Sequence, residues 1–183
     1  MAEITRETSL QELAAIISQV LEAEGLIATL SGGAAVSIYT ANRYQSSDLD
    51  FVSSVDSRTL GEVVARLGYQ ATESKRLFSH PETLWLLEFP AGPLGFGAKV
   101  VDATRLKAIE TPFGPLRVIT PTLCVMDRLA AFVHWRDRQC YEQAVWVAEN
   151  HPLEWAELEQ WAQQEQMDEA AWIQFAKLRD RMT

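Results

Sequence analysis

One segment, residues 30–52, constrains the fold of this chain more than any other part of its sequence. An apolar run over residues 26–30 predicts a β-strand, and Gly32 and Gly33 end that strand with a turn. Residues 34–39 then predict a short helix. Glycine lets the backbone approach a ligand closely, and the first turn of a helix attracts anions. The segment therefore predicts a strand–turn–helix unit of an α/β fold, with an anion-binding turn.

Two aspartates follow on the next predicted strand. Asp48 and Asp50 alternate with Leu49 and Phe51, and successive side chains of a strand point to opposite faces. The two carboxylates therefore share one face, while Leu49 and Phe51 point into the core. Neighbouring carboxylates repel each other unless a cation lies between them, and Mg²⁺ usually takes one or two carboxylates together with substrate phosphates. A phosphate-binding turn beside such a pair predicts phosphoryl or nucleotidyl transfer.

This arrangement resembles the DNA polymerase β-type nucleotidyltransferase superfamily. The closer resemblance is to its small bacterial branch, which includes the abortive-infection nucleotidyltransferases of toxin–antitoxin systems. The pattern in that branch is Gly-Gly-x-Ala, a later Arg, a Ser or Thr, and then Asp-hydrophobic-Asp-Phe. This chain matches the pattern at several positions: Gly32, Gly33, Ala35, Arg43, Ser46 or Ser47, Asp48, Asp50 and Phe51.

The resemblance implies an α/β (α+β) fold, in which a nucleotidyltransferase-like mixed sheet is flanked by helices and followed by a C-terminal helical annex. It implies an enzyme that holds two Mg²⁺ ions and uses a nucleoside triphosphate as substrate. The nucleoside monophosphate would be moved to a hydroxyl of an RNA, a protein or a small molecule. The resemblance also implies a set of nucleotide-binding residues: Ser31, Gly32, Gly33, Arg43 and Ser47.

A third carboxylate is expected on a later strand. Residues 83–89 predict a strand that is apolar except for Glu88 near its end, and a carboxylate there is costly without a partner. In the family, the third acid lies on a strand beside the Asp-x-Asp strand. We therefore take Glu88, together with Asp48 and Asp50, as metal ligand and catalytic residue. Asp102 is the competing candidate, because strand pairing is not readable from sequence with confidence.

Apolar spacing and helix-breaking residues predict the elements around this region. Residues 8–24 predict an amphipathic helix with a capping box made by Ser9 and Glu12. Residues 90–97 are rich in proline and glycine and predict a loop. Residues 106–119 predict a hairpin.

The C-terminal part of the chain is predicted to be helical. Helical periodicity extends over residues 122–149, so we predict a nucleotidyltransferase-like domain over residues 1–119 and a helical region over residues 120–183. Residues 153–164 and residues 169–181 predict two further helices with aromatic faces. Exposed aromatic side chains are favoured at interfaces, so these helices are a candidate surface for a protein partner.

Arginines in the stretch 122–149 are candidate phosphate ligands. A guanidinium group binds phosphate bidentately, and we take Arg128 as a nucleotide-binding residue, with Arg136 and Arg138 as alternatives. The other interpretation is a solvated stripe of ion pairs spaced three or four residues apart: Asp127, His134, Arg138 and Glu142. Related enzymes place a lysine on the corresponding helix. This stretch has none, and that departure bears on catalytic competence.

The charge and the cysteine content restrict the binding partners and the cellular compartment that we expect. The net charge of −9 argues against non-specific DNA binding, which needs a basic surface, but it allows a local basic patch that docks an RNA end. Cys124 and Cys140 are too few for a disulfide framework, and we expect reduced, helical thiols in a cytoplasmic protein. The sequence has no apolar run of bilayer length and no expected signal peptide, so we expect no membrane partner.

Other enzyme classes lack their signatures, since the sequence has no Walker-type segment, no Gly-x-Ser-x-Gly elbow and no histidines at metal-ligand spacing. Two other functions stay open. The first is an inactive nucleotidyltransferase-fold protein that binds a nucleotide or a partner, as an antitoxin-like module would. The second is antibiotic modification, because some members of the superfamily adenylylate aminoglycosides.

Overall fold

The structure is a computed structural model that describes residues 4–181. The chain divides into two compact units. The sheet unit comprises Met1–Ala35, Gln45–Leu94 and Val101–Ile119, and the helical unit comprises Val36–Tyr44, Gly95–Val100 and Thr120–Thr183. The division at residues 119 and 120 that the sequence suggests stays a prediction, and its outermost residues, 1–3 and 182–183, lie outside the described part.

Strands and helices are short, and both types occur in each unit. The strands in the described residues are β1 Thr29–Ser31, β2 Asp48–Val52, β3 Gln70–Ala71, β4 Leu77–Ser79, β5 Leu86–Glu88, β6 Gly95–Phe96, β7 Lys99–Val100, β8 Ile109–Thr111 and β9 Gly114–Leu116. The α-helices are α1 Leu10–Ala23, α2 Gly32–Tyr39, α3 Ser57–Val64, α4 Pro121–Trp135, α5 Arg138–Ala148, α6 Trp155–Gln164 and α7 Glu169–Ala176. Single 3₁₀ turns add Ala65–Leu67, Ala103–Arg105 and Arg179–Arg181.

A five-stranded mixed sheet in the order β1-β2-β5-β4-β3 forms the centre of the sheet unit. β1 and β2 are antiparallel, β2 and β5 are parallel, and β5, β4 and β3 continue the sheet antiparallel. β2 carries Asp48 and Asp50, and β5 carries Glu88. Because β2 and β5 are direct neighbours in the sheet, Glu88 lies beside the two aspartates. This mixed sheet with flanking helices confirms the predicted fold class.

Side-chain alternation on β2 is as the sequence predicts. Leu49 and Phe51 have no exposed surface, whereas Asp48 and Asp50 are half-buried. On β5, Leu87 is fully buried. One face of these two strands therefore belongs to the apolar core, and the other carries carboxylates.

Helices α1 and α3 begin at side-chain caps. Ser9 Oγ accepts a hydrogen bond from the Glu12 N–H at 3.2 Å, which confirms half of the predicted capping box. Asp56 accepts from the N–H groups of Arg58 and Thr59 at the start of α3. These bonds satisfy donors that a helix start otherwise leaves to water.

In the helical unit, α4 packs against α5, and the β6–β7 hairpin packs against α4. Trp161 is buried, and its Nε1–H donates to the Phe96 carbonyl at 3.0 Å. Rings of α5, α6 and α7 meet around the buried Phe175: Tyr141, Trp155 and Trp172. Much of the aromatic surface expected for a partner is therefore in the core of this unit.

The prediction of one helical stretch over residues 122–149 is wrong, because α4 ends at Trp135 and α5 begins at Arg138. Arg136 takes a left-handed conformation with φ 55°, which an α-helix does not continue through. The Asp137 carboxylate then accepts from the Gln139 N–H at 2.9 Å and starts the next helix. The predicted ion-pair stripe is interrupted at this point.

Two predicted boundaries also differ from the structure. The strand expected over residues 83–89 is confined to β5, because the chain turns at Thr83, whose hydroxyl accepts from the Trp85 N–H. The loop expected over residues 90–97 includes strand β6, which pairs with β7 across a turn with Gly97 at φ 58°.

Cys124 and Cys140 are free, buried thiols on α4 and α5, as expected. Within residues 4–181, every helix is too short or too polar to traverse a lipid bilayer.

Candidate metal and nucleotide site

Three carboxylates converge on one face of the sheet. Asp50 and Glu88 are direct partners in the parallel register of β2 and β5, and Asp48 lies two residues before Asp50 on the same face. One ligand oxygen from each of the three side chains lies within 4.8 Å of the others, and all three residues are half-buried. The structure thus brings together the three acids that the sequence names as metal ligands.

This donor set fits a hard divalent cation. Carboxylate oxygens are the ligands that Mg²⁺ prefers, and three like charges at this spacing repel one another unless a cation lies between them. Partial exposure leaves access for a substrate. Within the described residues, this is the one group of three or more acids, histidines or cysteines with such spacing.

Gly32 is positioned directly against Asp50. It starts α2 with φ 65°, and a Cβ at this residue would overlap Asp50 Oδ2 and lie 3.3 Å from its Cγ. Any side chain here would push the carboxylate away and strain the backbone. Because α2 begins at this point, the positive end of its dipole lies beside the carboxylates, where an anionic substrate group would also be stabilised.

Two serines form hydrogen bonds with the aspartates. Ser31 is the register partner of Asp50 on β1, and its hydroxyl donates to the Asp50 carbonyl at 3.4 Å. Ser46 is buried, and its hydroxyl donates to Asp48 Oδ1 at 2.9 Å. Ser47, the predicted nucleotide-binding residue, is exposed, and its carbonyl accepts from the Leu86 N–H. The sequence pattern allows either serine, and in the structure the buried Ser46 is the one whose side chain donates to Asp48.

Leu86 is a further neighbour of the carboxylates and is not among the site residues predicted from the sequence. It is the register partner of Asp48, it lies on the same face as Glu88, and it is 37% exposed. It therefore places apolar surface beside the acids. Its signal in the sequence is its position two residues before Glu88.

Asp102, the competing third acid, lies at a different place in the sheet unit. Its carboxylate accepts from the Thr104 N–H and hydroxyl and starts the 3₁₀ turn Ala103–Arg105. The Thr104 hydroxyl, followed by the Thr104 N–H, lowers the pKa of Asp102. Asp102 is therefore engaged as a cap outside the carboxylate group.

Arg43 and Arg128 belong to the helical unit. The Arg43 guanidinium pairs with Glu149 at 3.3 Å and lies 4.6 Å from the ring centroid of Trp146. Arg128 is mostly buried and pairs with Asp127 at 2.6 Å. Burial disfavours the charged form, but the Asp127 carboxylate outweighs it and raises the pKa of Arg128 above its ordinary value. Their predicted role in nucleotide binding stays a prediction.

No protein-family model and no curated protein sequence matches this chain. Solved structures do match. An antigenic nucleotidyltransferase-like protein from Paracoccidioides brasiliensis has a TM-score of 0.55 and 12% identity, over 79% of this chain and 77% of that chain. The antibiotic-resistance factor ANT(2'')-Ia in solution has a TM-score of 0.50 and 16% identity, over 94% of this chain and 92% of that chain.

A crystal structure of ANT(2")-Ia in complex with adenylyl-2"-tobramycin has a TM-score of 0.50 and 16% identity, over 95% of this chain and 98% of that chain. At this low sequence identity, the structural similarity shows the fold alone, and a function has to be argued from the residues of the site. The chain has a nucleotidyltransferase-like fold.

Proposed function

We propose that this chain is a Mg²⁺-dependent nucleotidyltransferase, which moves a nucleoside monophosphate from a nucleoside triphosphate to an acceptor hydroxyl. The observation that carries the proposal is the convergence of Asp48, Asp50 and Glu88 at the start of α2 on this fold. The acceptor hydroxyl would give up its proton to water, and its oxygen would form a bond to the α-phosphorus. The bond from that phosphorus to the oxygen that bridges the α- and β-phosphates would break, and pyrophosphate would leave.

Each residue of the site would have a role that follows from its position. Asp48, Asp50 and Glu88 would hold the metal, for which we propose two ions. Bound Mg²⁺ would neutralise phosphate charge and lower the pKa of the acceptor hydroxyl. The backbone of Gly32 and Gly33, at the positive end of α2, would favour the triphosphate. Ser31 and Ser46 would keep the strand ends and the Asp48 carboxylate in place.

The acceptor belongs to one of three classes: an RNA, a protein or a small molecule. The complex of ANT(2")-Ia with adenylyl-2"-tobramycin supports testing aminoglycosides in the small-molecule class. The toxin–antitoxin setting rests on the motif from Gly32 to Phe51, and the cytoplasmic location rests on the free thiols. The C-terminal helices are proposed as the surface for a protein partner through the apolar side chains that the core leaves exposed, such as Ile173.

Calorimetric titration with ATP, CTP, GTP and UTP tests the proposal, with and without Mg²⁺. We expect Mg²⁺-dependent binding that is lost in Asp48→Ala/Asp50→Ala and kept in Asp102→Ala, which removes a carboxylate outside the cluster. The affinities for the four triphosphates would show which base is preferred. Binding would also justify a search for the acceptor with labelled nucleotide. Transfer activity that survives in both the Asp48→Ala and the Asp50→Ala single variants would refute the mechanism.

A catalytically inactive nucleotide- or partner-binding module is the second candidate. Two observations favour it. Arg128 already forms an ion pair with Asp127, and residues 123–150 contain no lysine, although related enzymes place one on the corresponding helix. Under this hypothesis, purification would recover a specific protein partner, and no nucleotide would bind in a metal-dependent way.

A further inference from the structure

The sheet face that carries the acids continues past them onto β4. Leu77 of β4 is the register partner of Glu88, and partners in a ladder present their side chains on the same face. Ser79 follows two residues later on β4, so it shares that face, and the same register places it beside Leu86. We call Leu77, Ser79 and Leu86 the sheet platform.

The sheet platform is open to solvent. Leu86 is 37% exposed, and Leu77 and Ser79 are half-buried. The opposite face of the same two strands belongs to the core, because the register partners Phe78 and Leu87 are buried there. Apolar side chains that stay in contact with water beside a ligand site are suited to a ligand with apolar surface.

The platform and the strand beyond it are uncharged. In the described part of the chain, β4 places Leu77 and Ser79 on this face, and β3 places Gln70 opposite Ser79. The charges nearest to the platform are therefore the carboxylates of the proposed metal site on β2 and β5.

The two cations next to β4 in the sequence are on the other side of the sheet. Arg76 precedes Leu77, so it belongs to the opposite face by alternation, and its guanidinium donates to the Phe89 carbonyl at 2.8 Å. Lys75 lines a cavity together with the core residue Phe78. Beyond the metal, the phosphates of an RNA lying over the platform would find no cation on it, which disfavours an RNA acceptor.

The acids have different neighbours on their two sides. On the β1 side, Gly32 begins α2 against the Asp50 carboxylate, where the triphosphate is proposed to bind. On the other side, β5 is followed by β4 and the sheet platform. Because the attacking and leaving oxygens of a phosphoryl transfer lie roughly in line, an acceptor hydroxyl that opposes the pyrophosphate would approach from the β4 side.

We infer that the sheet platform is the acceptor subsite and that the acceptor is a small, uncharged alcohol with an apolar skeleton. This inference rests on the proposed function and selects among its acceptor classes. Neighbouring strands are about 4.8 Å apart, and alternate residues of one strand about 6.6 Å, so the platform matches one ring or a short alkyl chain. Transfer would give the nucleoside monophosphate ester of the alcohol, pyrophosphate and a proton.

Paramagnetic relaxation of benzyl alcohol protons by Mn²⁺, measured by NMR with protein in excess of the ion, tests the subsite without turnover. Mn²⁺ takes the same oxygen ligands as Mg²⁺, and it accelerates the relaxation of protons that bind close to it. We expect benzyl alcohol to be relaxed by the protein-bound ion, both alone and with α,β-methylene-ATP in the triphosphate site. Glycerol, which lacks an apolar skeleton, and tobramycin, which is cationic, should bind at least about 5-fold more weakly.

Substitutions at Leu86 identify the surface that binds the alcohol. Leu86→Ser should weaken benzyl alcohol binding about 5- to 10-fold, because it removes apolar contact area, whereas Leu86→Met keeps a similar volume and should bind as the wild type does. Ile173→Ser, which removes an exposed aliphatic side chain from α7, is the matched control and should also bind normally. Mn²⁺ affinity should be unchanged in all three variants, which shows that the sheet is folded, since the carboxylates come together only there.

The possible failures are distinguishable. Absence of Mn²⁺ binding by the wild type would overturn the proposed function and this inference with it. Mn²⁺-dependent nucleotide binding without relaxation of benzyl alcohol, or an equal loss in Leu86→Ser and Ile173→Ser, would overturn the inference alone. Displacement of benzyl alcohol by α,β-methylene-ATP would instead assign the platform to the nucleotide, and tighter binding of tobramycin would show a cationic acceptor; either result would also overturn the inference.

Discussion

Each aspartate of β2 depends on a small neighbour. Gly32 leaves the space that the Asp50 carboxylate occupies, and the buried Ser46 hydroxyl donates to Asp48. Both neighbours act through geometry, since neither contributes a charge. Substitutions at these two positions therefore test the site without removing a metal ligand.

At Gly32, alanine adds both backbone strain and an overlap with Asp50. Gly25 provides the matched control, because its φ of 71° is similar and a Cβ there would meet nothing within 4 Å. We expect Gly25→Ala to lose about 1–2 kcal/mol of unfolding free energy and Gly32→Ala to lose at least as much, measured by urea denaturation. Only Gly32→Ala should weaken Mg²⁺-dependent nucleotide binding, by about 10-fold or more. Equal nucleotide binding in both variants would contradict the role of Gly32.

At Ser46, alanine removes the donor that orients Asp48. Loss of a group that orients a metal ligand weakens metal binding by roughly 10- to 100-fold, and we expect Ser46→Ala to weaken Mg²⁺ binding in this range, measured by calorimetry. Ser47→Ala should leave Mg²⁺ binding unchanged and affect only nucleotide affinity. The opposite assignment of the two effects would show that Ser47 is the serine that serves the metal site.

At the scale of helices and strands, the sequence predicts those features that depend on residues close together in the chain. The alternation on β2 predicts both its buried and its acidic face, and the apolar strand that ends in Glu88 predicts the later acid. The pairing of β2 with β5 joins residues that are far apart in the chain. The sequence therefore predicts Glu88 as the third acid but does not predict which residue of β2 it lies opposite. The sequence does not predict the break at Arg136, because the apolar residues on both sides of it keep helical spacing.

The cap of α5 gives a prediction for this element. Hydrogen bonds from the Cys140 thiol, and then from the Cys140 and Gln139 N–H groups, lower the pKa of Asp137. A carboxylate whose pKa is lower in the folded state stabilises the fold above its unfolded pKa of about 3.9. That stability is lost as the pH falls through the folded pKa.

We therefore expect Asp137→Ala to cost about 1 kcal/mol of unfolding free energy at pH 7 and less at pH 3. Asp137→Asn, which keeps a capping oxygen without the charge, should cost about half as much or less. Urea denaturation at the two pH values measures both costs. A cost of Asp137→Ala that is the same at pH 3 and pH 7 would show that the charge is unimportant.

For the molecule as a whole, the metal site couples binding to folding. Three carboxylates come together only in the folded sheet, so Mg²⁺ should bind the folded chain in preference to the unfolded chain. At a free concentration of 100 times its dissociation constant, the ion should add about 2.7 kcal/mol to the unfolding free energy. Thermal or urea unfolding with Mg²⁺, and then with EDTA, measures this gain.

Glu88→Gln should abolish most of the gain, whereas Glu110→Gln, an exposed strand residue of the same unit, should keep it. An equal gain in wild type and Glu88→Gln would place the ion elsewhere. This experiment needs no acceptor and no nucleotide, so it isolates the metal site from the proposed transfer chemistry.

The parallel pairing of β2 with β5 also sets an order of assembly during synthesis. β1 and β2 form an antiparallel pair from neighbouring parts of the chain, so two acids can be in place early. The third arrives only after α3, β3 and β4 have been made and β5 has joined β2. A nascent chain that is still missing β5 therefore has an incomplete ligand set, and full metal affinity should appear only when the central sheet closes.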